Sequence, residues 1–220
     1  AQARAGAQLS VVVHRRYNPE GITQYNIVPG LLGVILQMTM VMMTAMALTR
    51  EIERGTMENL LAMPVTPAEV MLGKVLPYFA VGGVQVLVVL GVARLVFQVP
   101  FLGSLPLLLA GVGLFVMALV ILGYLISTVA RNQMQALQMT FFFFMPSMLL
   151  SGFMFPFEAM PEPAQWIATA LPLTHFLRVV RGITLRGAGF DEVAPEALDM
   201  AIILGVLVLV ASLRFRKKLG

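Results

Sequence analysis

Long apolar runs separated by short polar connectors dominate the sequence. A helix that crosses a bilayer needs roughly 20 mostly apolar residues. Segments of this length and character occupy about residues 27–48, 72–97, 105–129, 136–155 and 197–213. The pattern therefore predicts an all-α integral membrane protein with five transmembrane helices.

Composition strengthens this prediction. The chain has 220 residues, of which 59% are hydrophobic and 12% are charged, whereas soluble domains carry about 25% charged residues. It contains no cysteine, which excludes disulfides and thiolate metal sites. The net charge is +4, and much of the basic excess lies in RFRKK, directly after an apolar run. Such a cluster indicates a cytoplasmic membrane flank rather than a nucleic-acid-binding patch.

The same cluster orients the chain. Acidic residues precede the last span and basic residues follow it, and positive residues are retained in the cytoplasm. The C-terminus is therefore expected to be cytoplasmic. Counting back through five spans places residues 49–64 and Arg131 on the cytoplasmic side and the N-terminus outside. Over the whole chain, with this cluster included, lysines and arginines are almost evenly divided between the two sides, so this orientation depends on the C-terminal asymmetry.

The connector between the first two spans, TREIERGTMENLLAMP at residues 49–64, is highly charged for its surroundings. Wound as a helix over residues 50–63 at 100° per residue, it places Glu51, Arg54 and Glu58 on one face and apolar residues opposite. This predicts a short amphipathic helix at the cytoplasmic membrane surface. Its mixed charge suits a protein surface better than anionic headgroups. The alternative is a solvated polar hairpin with no partner.

The segment at residues 152–189 contains prolines that prevent it from spanning as one helix. It suits a re-entrant dip into the outer leaflet, with Trp166 as an interfacial anchor. His175, Arg178 and Arg181 recur every three residues and predict a second amphipathic helix, parallel to the membrane surface. These side chains could line an exit or attract anionic lipid or substrate. The favoured interpretation is that this helix plugs the outer end and that its arginines reach water and headgroups.

Ionisable residues are nearly absent from the middle of the spans, and Arg94 lies near an outer end, from which it can extend to the interface. The candidate pathway residues are consequently uncharged, although helix–helix hydrogen bonding is the commoner use of such polar groups. The polar candidates are Gln37, Thr44 and Gln85. Phe142 and Met145 are apolar candidates from FFFFMP at residues 141–146, a run that could form an apolar valve and in which neither residue is better supported than its neighbours. A lining of this kind favours amphipathic or hydrophobic cargo.

An intramembrane enzyme would need a nucleophile with a base, or metal ligands, within the bilayer. The histidines, His14 and His175, are both expected outside the membrane, and there is no HExxH motif. No base is evident for Ser127, Ser147 or Ser151. We therefore predict no catalytic residue, no metal site and no cofactor bound by this chain.

Three collinear stretches resemble one family. EIERGTMENLLAMPVTPAEVMLGKVLPY, which starts at Glu51, is similar to the signature hairpin of ATP-binding-cassette type-2 transport permeases of the bacterial multidrug-exporter kind. Its Arg-Gly-Thr-x-Glu-x-Leu, Pro and Gly-Lys elements match the family pattern in order. LISTVARNQMQALQM at residues 125–139 resembles the family's inner turn, and residues 146–189 resemble its outer re-entrant segment. The likeness covers nearly all of the chain from Tyr17 onward.

The resemblance implies a function. Residues 50–63 would form a coupling helix that docks on a separate ATP-hydrolysing subunit, which holds ATP and Mg. A second permease subunit, identical or different, and membrane lipid would be the other partners, and nucleic acid would not be one. The chain would be the permease of an exporter in the bacterial inner membrane. The residues assigned to the ATPase contact are Glu51, Arg54, Gly55, Thr56, Glu58 and Leu61.

The start of the chain departs from the family pattern, in which a cytoplasmic N-terminus, a first span and a large external domain come first. Residues 1–26 are expected to be the remnant of that domain, and residues 27–220 the transmembrane permease domain. An alternative function remains open at this point. It is a structural or regulatory membrane subunit with the same spans and no transport path of its own.

Overall fold

The structure, a computed structural model, describes residues 23–55, 67–99 and 101–216. All regular structure in these residues is helical, as predicted. The elements are α1 (Thr23–Glu53), α2 (Pro67–Leu95), α3 (Leu105–Val129), α4 (Gln133–Leu150), a 3₁₀ turn (Phe157–Ala159), α5 (Glu162–Thr169), α6 (Pro172–Arg181), a π-helical turn (Gly182–Arg186) and α7 (Phe190–Arg216).

The predicted external remnant, residues 1–26, lies outside the described residues except for its last four positions, which belong to the start of α1. Four of the described helices are long and apolar enough to cross a membrane, judged by length and composition. These candidate spans are Ile27–Glu51, Leu76–Leu95, Leu105–Val129 and Phe190–Arg214. They correspond to four of the predicted spans, and α3 has the predicted bounds.

The remaining predicted span, residues 136–155, differs from the helix that forms there. α4 begins at Gln133 and ends at Leu150, before a turn in which Gly152 has a φ of +85°. Its 18 residues measure about 27 Å at 1.5 Å per residue, slightly less than the ~30 Å hydrocarbon core. Glutamines in its first two turns lower its hydropathy. Because α4 does not qualify by length and composition, the fifth span stays a prediction.

The described helices pack around α3, which contacts α1, α2, α6 and α7. Phe115 and Leu119 of α3 are fully buried, and the ring of Phe115 stacks on the ring of Phe176 from α6 with centroids 4.2 Å apart. α2 and α7 are more peripheral and present large apolar side chains outward, such as Leu87 and Ile202. Outward apolar surface of this kind is what a bilayer accommodates.

The close approach of α1 to α3 depends on Gly123. A Cβ atom at this position would lie 2.8 Å from the carbonyl oxygen of Val41 and 2.8 Å from Cβ of Thr44. Small residues permit such close crossings between membrane helices. Any larger residue at position 123 would force α1 and α3 apart.

The bundle has two ends. At the α3–α4 end, the C-terminus of α1 meets Gln133, the first residue of α4, directly after the turn at residues 130–132. At the α5–α6 end, the turn between α2 and α3 meets the π-helical turn, where the Leu102 backbone N–H donates to the Thr184 carbonyl at 3.1 Å. The charged connector therefore leaves from one end, and the segment at residues 151–189 covers the other.

Candidate functional site

The connector begins differently from the prediction. α1 continues without interruption to Glu53, so Arg50 and Glu51 lie in its last turn. Arg54 and Gly55 then form a turn, with Gly55 at a φ of +69°. A glycine in this left-handed conformation is a common helix terminator.

The prediction of one helix over residues 50–63 is therefore wrong at its start. The helix of the first span meets no residue that favours termination before Gly55, so it extends through the first charged residues. Glu51 therefore belongs to the helix of the first span and Arg54 to the turn that ends it. Three residues assigned to the ATPase contact lie outside the described residues: Thr56, Glu58 and Leu61.

Glu53 joins the end of α1 to the start of α4. Its carboxylate accepts hydrogen bonds from the Gln133 backbone N–H at 2.8 Å and from the Gln133 side-chain amide at 2.5 Å. A carboxylate at a helix N-terminus meets unpaired N–H groups and the positive end of the helix dipole. The hydrogen bonds from the side chain and then the backbone of Gln133 lower the pKa of Glu53. The connector is thus attached to two helices.

The turn before α4 is stabilised by its own side chains. Asn132 is the N-cap of α4, and its side-chain oxygen accepts from the Gln135 backbone N–H at 2.8 Å. The Gln135 side chain in turn accepts from the Arg131 backbone N–H at 2.8 Å. The sequence carries a signal for this start, because Asn132 followed three residues later by Gln135 resembles a capping box. The sequence gives no indication that Glu53 is the hydrogen-bond partner of Gln133, because the two residues are 80 positions apart in the chain.

The predicted pathway residues do not converge on one channel within the described residues. Gln37 is buried, and its side-chain oxygen accepts from the Ser147 hydroxyl on α4 at 3.1 Å. Its side-chain nitrogen and the Thr44 hydroxyl, both buried, have no partner among the described residues. Gln85 on α2 accepts from the Thr39 hydroxyl on α1 at 2.9 Å. These groups lie where α1 meets its neighbours.

The two apolar pathway candidates lie elsewhere. Phe142 and Met145 are exposed on the outer side of α4, with 79% of Phe142 accessible. Both are available to lipid or to another protein chain, and neither lines the interior of this subunit.

A charged cluster links α6 to α7 at the α5–α6 end. His175 is buried, with its Nδ1 atom 2.7 Å from a carboxylate oxygen of Glu196 and its Nε2 atom 2.9 Å from the Thr169 carbonyl oxygen. Arg178 donates to the other oxygen of Glu196 at 3.1 Å. An Asp199 oxygen lies 3.8 Å from Nδ1. A protonated His175 can donate to both of its neighbours at once.

The protonation of His175 follows from these contacts. Burial acts to lower the pKa of His175, but the hydrogen bonds to Glu196 and Thr169 and the charges of Glu196 and Asp199 outweigh it, so the pKa is raised. The ligand-type atoms of His175, Glu196 and Asp199 lie within 4.8 Å of one another. Since Glu196 is already held by His175 and Arg178, the geometry favours an ion-paired network over a metal site.

The second amphipathic helix is more deeply buried than a helix lying on the membrane surface would be, and its orientation relative to the membrane stays a prediction. α6 packs against α1, α3 and α7, and its apolar residues and His175 are all buried. Arg178 pairs with Glu196, and Arg181 donates to the Gly152 carbonyl oxygen at 3.0 Å. α6 therefore lies within the bundle because these partners replace water around its polar groups. Trp166 on α5 is exposed, and its role as an interfacial anchor stays a prediction.

A cavity of about 500 Å³ lies between α1, α2 and the turn that leads into α3, and α6 and the π-helical turn complete its wall near the α5–α6 end. Its walls are almost entirely apolar, including Leu32, Leu90 and Phe101. Arg94 and Thr184 supply its polar side chains. The position of Arg94 near the end of an apolar run indicates an interfacial residue, but no sequence pattern indicates the cavity, which several separate helices form together.

The apolar helices and the helical bundle define an integral membrane protein. Residues 2–214 match the family described as ABC-2 family transporter protein, and the chain belongs to this family. The resemblance found in the sequence is thereby confirmed.

Named relatives have similar sequences. The chain is 37% identical over 223 residues to the inner membrane transport permease YhhJ of Escherichia coli K12, covering 96% of this chain and 57% of the relative. It is 33% identical over 208 residues to the probable multidrug ABC transporter permease YbhR of the same organism, covering 94% and 56%. ABC transporter G family member 20 of Dictyostelium discoideum is 28% identical over 198 residues, covering 86% and 26%. The chain thus spans little more than half of the bacterial relatives.

Proposed function

We propose that this chain is the membrane permease part of an ATP-driven exporter, with ATP and Mg bound by a separate ATPase subunit. Family membership supports a transport function, and relatives at 33–37% identity bear the names of transport permeases. The cargo would be amphipathic or hydrophobic, since the helix interfaces contain few charged groups. The permease itself would carry no catalytic residue.

The contact between Glu53 and Gln133 is the main structural support for the proposed coupling of the permease to an ATPase. An ATPase that moves the connector would displace α1 directly through the chain and α4 through the two hydrogen bonds at Gln133. A further hydrogen bond between Gln37 and Ser147 joins the same helices deeper in the bundle. We infer that α1 and α4 tilt together when the ATPase subunits close. This motion would alternate access between the two sides of the membrane.

The proposal includes an orientation and an assembly. The α3–α4 end and the C-terminus would face the cytoplasm of a bacterial cell, and the α5–α6 end would face outward. Two permease subunits, identical or different, would combine with two ATPase subunits. α4 would then be a short fifth span, with Phe142 and Met145 facing lipid or the second permease.

The alternative is a structural or regulatory membrane subunit without a transport path. It would show no binding to an ATPase at the α3–α4 end. Co-purification of the full chain with an ATP-binding-cassette ATPase, followed by ATP turnover in proteoliposomes with and without a hydrophobic substrate, separates the two functions.

Reversing the charge of one connector residue tests the docking site directly. Glu58→Arg in the connector is expected to abolish co-purification and substrate-stimulated ATP turnover. The matched control is Glu158→Arg, which reverses the same charge at an exposed position of the α5–α6 end and is expected to leave both unchanged. Equal behaviour of the two variants would contradict the proposed docking site.

A further inference from the structure

The cavity near the α5–α6 end has the shape and chemistry of a lipid-binding site. Its volume of about 500 Å³ lies within the roughly 300–1,000 Å³ of pockets that hold small ligands. It is bounded by helices that qualify as membrane spans and is partly open to the surroundings. A hydrocarbon chain is the most abundant apolar ligand that such a position meets.

The interior of the cavity offers almost nothing to a polar ligand. Val28, Leu87 and Val99 are among its apolar lining residues. Thr184 contributes a hydroxyl, but this group donates to the Val180 carbonyl oxygen at 2.7 Å. A ligand rich in hydrogen-bonding groups would lose its contacts with water here without replacement. The walls therefore select an alkyl chain.

Arg94 adds a single positive charge to this apolar surface. It lies in the last turn of α2, is exposed, and lines the cavity. No carboxylate in the described part of the chain forms an ion pair with it. A guanidinium group binds phosphate through charge-assisted and often bidentate hydrogen bonds. Its position beside the cavity allows one ligand to contact both the charge and the apolar walls.

We propose that this cavity binds one acyl chain of an anionic membrane lipid, whose phosphate is held by Arg94. The occupant is a lipid of the leaflet at the α5–α6 end, and it enters from the bilayer beside α2. This binding requires neither an ATPase nor transport, so it can be tested independently of the proposed function.

The test is retention of lipid by the full chain after reconstitution into nanodiscs containing equal amounts of phosphatidylglycerol and phosphatidylcholine. Native mass spectrometry of the re-extracted protein counts the lipids of each kind that remain bound. The unaltered chain is expected to retain phosphatidylglycerol preferentially. Arg94→Ala is expected to reduce this preference about fivefold, the contribution of one interfacial arginine, whereas Arg94→Lys retains most of it.

A second pair of variants tests the cavity itself. Gly91 lies in its wall, and a Cβ atom there would meet no atom within 4 Å, so Gly91→Leu can fill the cavity without a clash in the backbone. Gly83 on the same helix is equally open but does not line the cavity, and Gly83→Leu is the control. Loss of bound lipid in Gly91→Leu alone supports the proposal.

Three results would overturn the proposal. The first is that the unaltered chain retains phosphatidylglycerol and phosphatidylcholine equally. The second is that Gly91→Leu and Arg94→Ala retain as much phosphatidylglycerol as the unaltered chain. The third is that inorganic phosphate alone displaces the bound lipid. Helical content by circular dichroism and the thermal unfolding midpoint establish that each variant is folded.

Discussion

The carboxylate of Glu53, the last residue of α1, receives both the backbone and the side-chain N–H groups of Gln133, the first residue of α4. The connector therefore leaves the bundle at a point where two helices are already joined. A protein bound to the connector could move both helices without touching α4.

Replacing Glu53 by alanine is expected to weaken the mechanical link between the connector and α4. Substrate-stimulated ATP turnover in proteoliposomes should fall several-fold, while binding of the ATPase is retained, because the remaining connector residues are unchanged. Glu158→Ala at the opposite end is the control and should have no effect. Full stimulation in Glu53→Ala would show that the two hydrogen bonds do not transmit the motion.

The same contact has a pH dependence. The folded-state pKa of Glu53 is lowered, so its stabilising contribution is present above the unfolded pKa of about 4.3. It is lost as the pH falls through the lowered folded value. Glu53→Gln should remove this acid-side change, which a pH series of thermal unfolding midpoints for the variant and the unaltered chain would detect.

The link between α6 and α7 should respond to pH in the opposite sense. The folded-state pKa of His175 is raised, so the stabilisation from its charged form is fully present below the unfolded pKa of about 6.5. It is lost as the pH rises through the raised folded value. His175→Gln should flatten the dependence of the unfolding midpoint over this range. An unaltered pH profile in that variant would show that His175 does not change charge there.

Glu196→Gln tests the acidic partner of this link. The carboxylate accepts from His175 and Arg178, and hydrogen bonds to charged groups contribute about 1.5–3 kcal/mol each. The variant is expected to lose about 1–3 kcal/mol of stability near neutral pH, since the amide oxygen keeps part of the bonding. Glu158→Gln, the same substitution at an exposed position, is the control and should unfold like the unaltered chain.

Gly123→Val should separate α1 from α3. Overpacking a tight helix crossing costs about 1–3 kcal/mol, because the new side chain would meet the Val41 backbone and Thr44. Gly205→Val on α7 introduces the same side chain where a Cβ atom meets nothing within 4 Å. Thermal unfolding in detergent should show a lower midpoint for the first variant only. Equal unfolding midpoints for Gly123→Val and Gly205→Val would show that α1 and α3 are not in close contact at Gly123.

The orientation can be tested by labelling, since the chain contains no cysteine. Arg131→Cys in the α3–α4 turn should react with a membrane-impermeant maleimide only after the cells are permeabilised. Glu158→Cys at the other end should react in intact cells. Reversal of this pattern would place the connector outside the cell, where no ATPase could reach it.

The sequence by itself determined the class of protein, the four apolar helices that qualify as spans, and the family. These properties reside in local signals: apolar runs of about 20 residues and short motifs with strict spacing. The approximate bounds of α3 are predictable because polar and turn-forming residues flank one long, mostly apolar stretch. Hydropathy places the start of α4 at residue 136, three residues too late, because the helix begins at a capping signal formed by Asn132 and Gln135 and not at its first apolar residue.

Only the tertiary structure decided which polar groups meet. Glu53 and Gln133 are 80 residues apart, and the burial of His175 depends on Glu196 arriving from another helix. The same holds for the cavity beside Arg94, whose walls come from separate helices. Hydropathy records how apolar a segment is and not how it is rotated against its neighbours. The pairing of side chains across helices is set by that rotation and by packing at positions such as Gly123, which become defined only when the helices assemble.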